Sequence, residues 1–134
     1  MLSIMLAARD SKNLASFAVG LEQNDQIEMV HVDSAAKALE MVRNQDIDLV
    51  VVGEELADMR PIEFVSQLVT IRPMINTAIV SGLSPHDFHE ATEGLGVLMQ
   101  LPPSPSTEDA AALLGKVDDL SALLGRPKTG VAKQ

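Results

Sequence analysis

Carboxylates gather around one short stretch, "LVVVGEELADM" at residues 49–59, where Glu54, Glu55 and Asp58 follow an apolar run. Asp10 follows another such run at residues 4–8. Acids at the ends of buried strands can do two kinds of chemistry: they hold a hard divalent cation through oxygen ligands, or one of them attacks a phosphoryl group. Asp10, Glu54 and Asp58, with Glu55 beside them, are the set that could hold magnesium. The plainer reading is that loop acids face water. Arg9 opposes metal binding by placing a positive charge among them, and it can instead pair with Asp10, Glu54 or Asp58 in a salt bridge of modest strength. Gly53, where the apolar run ends, has no side chain to act as a nucleophile.

The other chemistry-bearing residues are more scattered. In "HDFHE", His86, His89 and Glu90 have helical spacing that suits a metal, but no third strong ligand is in sight, and two solvated helical histidines are the simpler reading. His31 falls in a strand and reads as an edge or surface residue. "GLG" at residues 94–96 follows a helix and precedes a strand, the reverse of a dinucleotide fingerprint, so it reads as a helix stop and a turn. Ser81-Gly82 could bind an anion at a helix start, although a turn leading to Ser84 explains it as well. The seven methionines read as core filler.

Composition narrows the function classes. The 134 residues fit one domain, and 46% apolar content suffices for a single core. Nineteen acids against ten bases give a net charge of −9, which opposes phosphate neutralisation and argues against nucleic acid as a partner. With no cysteine there is no disulfide framework and no thiolate zinc site. "MLSIMLAARD" lacks a basic leader region, and its apolar stretch is too short to span a bilayer. A cytoplasmic location without membrane contact is the expectation.

The elements that must position these residues alternate strictly. Strands are predicted at residues 4–8, 27–32, 49–52, 77–80 and 97–100. Between them lie helices carrying Leu14, Phe17 and Leu21; Ala35, Ala38, Leu39 and Val42; and Phe64, Val65 and Leu68. A fourth helix is capped by Ser84 with Pro85 in its first turn and stops at Gly94, and a fifth runs from Thr107 to Leu124. Five β-α units predict an α/β fold, a doubly wound, five-stranded parallel sheet with helices on both faces. "IEMVHV" partly alternates and belongs at an edge. Residues 1–124 form the domain, and residues 125–134 are expected to be a flexible tail. In such sheets the chemistry sits at the carboxyl ends of the strands, here Arg9-Asp10, residues 53–58, Ser81-Gly82 and Leu101-Pro102.

At these loops the chain resembles the receiver domain of two-component response regulators over roughly its first 120 residues, which implies a flavodoxin-like sheet with the strand order 2-1-3-4-5. "DLVVVGEELADMRPIEF" is similar to the stretch in which a strand ends in the phospho-accepting aspartate and leads into a helix. The resemblance puts Gly53 at the acceptor position, Arg9 and Asp10 at the pair of metal-binding acids, and Ser81 at the switch hydroxyl. Leu98 falls at the switch aromatic and Leu101 at the lysine that precedes proline. Phosphoryl transfer needs a carboxylate nucleophile, a cation held by further carboxylates and a charge to neutralise developing oxygens. Here the nucleophile is absent, the metal site carries Arg9, and the charge clamp is replaced by Leu101.

The reading that follows is an atypical, pseudo-receiver module without catalysis or cofactor that works by binding another protein or itself. The resemblance puts that contact on the fourth helix, fifth strand and fifth helix. Phe88 and Leu95 are expected to contribute, together with Leu114 and Leu123, which fall on the flanks of the fifth helix's core stripe. One alternative is a true phospho-receiver that uses a displaced acid such as Glu54 or Asp58. Another is a small-molecule-binding regulatory domain at the same crevice.

Overall fold

The computed structural model describes residues 2–124, apart from the side chains of Ser11 and residues 121–124. The predicted tail at 125–134 lies outside the described residues. The order is β1 (Leu2–Ala7), a 3-10 turn (Ser11–Leu14), α1 (Ala15–Glu22), β2 (Ile27–Val32), α2 (Ala35–Asn44) and β3 (Leu49–Val52). It continues with α3 (Pro61–Ile71), β4 (Asn76–Val80), α4 (Pro85–Thr92), β5 (Met99–Leu101) and α5 (Thr107–Leu124). All pairings are parallel and the sheet runs β2-β1-β3-β4-β5, the predicted order.

Alternate residues of each central strand enter opposite cores. Leu2, Ile4 and Leu6 of β1, with Leu49 and Val51 of β3, pack under α1 and α5. Met5, Ala7, Val50 and Val52 pack under α2, α3 and α4. Burial on both faces is why these strands read as unbroken apolar runs, whereas β2, at the edge, keeps Glu28 and His31 exposed. The α1–α5 contact depends on Gly20, where an added Cβ would stand 2.8 Å from Ala110 Cβ.

Serine side chains cap two helix starts, the second of them the predicted cap. Ser34 accepts from the backbone N–H of Lys37 at 3.2 Å, and Ser84 from that of Asp87 at 3.1 Å. The fourth helix stops at Thr92, two residues before the predicted limit, and β5 begins at Met99 rather than Val97. The reason is local: Gly94 and Gly96 both take positive φ, 84° and 66°, so the chain turns twice before it can pair with β4. Among the described residues no helix is long and apolar enough to cross a membrane.

Candidate functional site

Gly53 immediately follows β3, is buried, and donates its backbone N–H to the Ala7 carbonyl at 2.8 Å. That bond draws β3 against the end of β1. A Cβ at Gly53 would lie 2.6 Å from Ala8 Cβ and 3.4 Å from its Cα, so the position has room for a hydrogen and little more. A side chain at the strand end where the resemblance puts a nucleophile would therefore have to displace Ala8.

Asp10, Glu54 and Glu55 line one crevice beside Gly53, whereas Asp58 is drawn away by its own bonds. Asp10 is exposed and caps the 3-10 turn by accepting from the Lys12 N–H at 3.0 Å. Asp58 turns away from the strand ends to the start of α2, where its two oxygens accept from Ala35 N–H at 2.7 Å and Ala36 N–H at 3.0 Å. Those two bonds, to Ala35 foremost, hold its pKa below the ordinary carboxylate value. The expected magnesium set of Asp10, Glu54 and Asp58 is thus not assembled. Among the described residues, the three-residue cluster close enough to share an ion is His86, Asp87 and Glu90, all exposed, with ligand atoms within 4.8 Å of one another. His89, expected beside His86, is not part of it; Glu90 Oε2 lies 3.6 Å from His86 Nε2.

Arg9 pairs with Glu55, at 3.6 Å between Nη1 and Oε1, and not with Asp10, Glu54 or Asp58. The neighbouring backbone explains the choice: Arg9 N–H donates to the Glu55 carbonyl at 2.7 Å, which sets the two side chains alongside each other. Together with a bond from Ala57 N–H to the Asp33 carbonyl at 3.1 Å, this ties the β3–α3 loop to both neighbouring loops.

On the other side of Gly53, Leu101 is fully buried in the core under α1 and α5. Ser81 Oγ accepts from the Leu83 N–H at 3.1 Å, the turn reading rather than an anion site. A residue that the sequence did not single out organises this side. Gln100 donates its side-chain amide to the Ser81 carbonyl at 3.0 Å and the Leu83 carbonyl at 2.8 Å, bracing the β4–α4 loop from β5. A lone glutamine in an apolar strand carries no spacing signal, so only the fold reveals its role.

Of the expected contact residues, Leu95 and Leu114 are half-buried. Phe88 is not available: it is 8% exposed and packs into the core with α2 and α3, because Ser84 and Pro85 set the phase of α4 with that face inward. The side chain of Leu123 lies outside the described residues.

No family model matches the sequence, and no curated protein matches it. Solved structures do. A response regulator receiver domain protein (CheY-like) from Methanospirillum hungatei JF-1 superposes with a TM-score of 0.79 at 18% identity, over 93% of this chain and 99% of that one. The signal receiver domain of an HD domain-containing protein from Pseudomonas fluorescens Pf-5 gives 0.77 at 15% identity, covering 93% of each chain. A Burkholderia pseudomallei response regulator, solved with a phosphorylated aspartic acid, a calcium ion and citrate, gives 0.71 at 15% identity, over 92% of this chain and 75% of that one. The chain has the fold of a CheY-like receiver domain.

Proposed function

We propose that this chain is a receiver-like signalling module that does not undergo phosphotransfer and acts by binding protein, another chain or a second copy, through α4, β5 and α5. The observation that carries the reading is that Gly53 brings no side chain to the end of β3 and that Ala8 stands 2.6 Å from its Cβ position, so a nucleophile there would have to displace Ala8. The remaining chemistry points the same way. Arg9 stands with Glu55 where a divalent cation would need carboxylates, and Leu101 makes the neighbourhood apolar, which disfavours a phosphoryl dianion. A displaced acceptor fares poorly: both oxygens of Asp58 are occupied by α2, and among the described residues Glu54 belongs to no group of three side chains close enough to share a metal ion. The crevice beside Gly53, about 300 Å³, lies at the lower limit for a small-molecule site. With no catalysis to support, the braced loops present one conformation for recognition. The test is incubation with magnesium and acetyl phosphate followed by intact mass measurement. The mass is expected to stay unchanged, and a single hydroxylamine-labile phosphoryl adduct defeats the proposal.

A further inference from the structure

The side of α4 away from β5 faces a second feature, an open trough of about 730 Å³ between α3 and α4. Its floor is the end of β4, at Ile79 and Val80, and Phe88 and Ala91 form the α4 wall. Ile62 of α3 and Leu83 of the β4–α4 loop stand on its edges. Both expose much of their apolar surface, 37% and 48%, although an apolar side chain gains by leaving water. The other large apolar side chains exposed among the described residues, Val19 on α1 and Met74 in the α3–β4 turn, do not line this trough. An apolar channel with two exposed aliphatic edges fits an inserted side chain from a partner better than an enclosed metabolite.

The rim selects the partner's charge. Glu54 and Glu63 both border the trough, and neither is ion-paired within the described residues. Arg60 is the sole cation among the residues that line it, while Asp87 sits one helical turn before Ala91 on α4. Acids outnumber bases locally as they do over the chain, whose net charge is −9, so an anionic ligand is repelled and a basic one attracted. The trough is also shaped in advance, because Gln100 holds the Leu83 carbonyl and so sets where that edge stands. We propose that the trough between α3 and α4 is a docking site for a segment of another protein that carries a bulky apolar side chain beside a lysine or arginine.

This site is independent of the α4–β5–α5 surface, so the two can fail separately. The test pans a phage-displayed dodecapeptide library against the full chain, then measures a labelled synthetic peptide of the selected sequence by fluorescence polarisation. The expected consensus is a large apolar residue next to Lys or Arg. Its affinity should fall roughly tenfold or more for Leu83→Glu and for Ala91→Glu, each first shown to be folded by thermal unfolding, and remain normal for Leu114→Glu. Glu63→Lys should weaken binding as well. The proposal is overturned if no consensus emerges, if the consensus is acidic, or if binding ignores both trough substitutions. It is equally overturned if sedimentation shows self-association that Leu83→Glu abolishes, since the occupant is then a second copy.

Discussion

Ala8 and Gly53 meet so closely that placing a carboxylate at position 53 is a packing problem before it is a chemical one. Gly53→Asp drives a Cβ into Ala8, and overfilling a packed site of this kind destabilises by roughly 1–3 kcal/mol. Urea denaturation of the single mutant should show that loss, and adding Ala8→Gly should recover much of it. Neither variant should gain mass with acetyl phosphate, because Arg9 and Leu101 remain; efficient labelling of either would show the remaining site to be competent. Asp58 supports a different prediction. Its two bonds to α2 lower its pKa, so the unfolded chain binds that proton more readily than the native one. The stabilisation is therefore complete above the unfolded carboxylate pKa and drains away as pH falls through the lower, native value. Asp58→Ala should lower the thermal midpoint by a few degrees at neutral pH. The gap from the parent chain should narrow below about pH 4, where the parent begins to lose the same contribution. A gap independent of pH would mean that the carboxylate's charge is not what holds α2.

On α5, apolar residues beside the core stripe stay half-buried. Ala110, Leu113 and Val117 are buried against α1 and the sheet, and the close approach at Gly20 fixes how deeply the helix sits. Leu114 falls about a quarter turn off that stripe and stays half-buried, packed against the core at one edge only. Leu114→Glu should reduce self-association or partner capture while costing the monomer no more than about 1.5 kcal/mol, half the value of burying a leucine completely. Sedimentation and denaturation of the same preparation separate the two effects. If sedimentation and capture are both unchanged while unfolding stays normal, this face is not the contact. Because Phe88 is held in the core under α2 and α3, the proposed surface near α4 would rest on Leu95, beyond the end of that helix, and on the half-buried residues leading into β5.

Over the whole molecule, acids exceed bases by nine, and among the described residues the ion pairs are Arg9–Glu55, Lys37–Asp33, Arg72–Asp46 and His86–Glu90. The pairs that do form, such as Arg9 with Glu55 and Lys37 with Asp33, are largely exposed and contribute little. Self-repulsion should therefore outweigh ion pairing. Raising sodium chloride from about 10 mM to about 150 mM, which shortens the screening length to near 8 Å, should raise the thermal midpoint. A midpoint that falls with salt would show that specific pairs dominate. The same field should prevent a band shift with duplex DNA at physiological salt.

Hydrophobic period and punctuation by proline, glycine and capping serine were enough to specify five β-α units, their parallel order and the edge position of β2, because burial on one or two faces writes itself directly into residue pattern. That residue 53, at the end of β3, carries no side chain was legible for the same reason: it is a matter of residue type. Which partner each polar group takes was not legible. Asp58 caps α2 from 23 residues away, Arg9 selects Glu55 because their backbones bond first, and Gln100 reaches two carbonyls of a loop 17 to 19 residues earlier. Phe88 lies inward because α4 is phased by its cap, and Ala8 excludes a side chain at Gly53 because two strands converge. These contacts join segments distant in sequence, and spacing along one chain cannot encode distances that exist only after the strands are side by side.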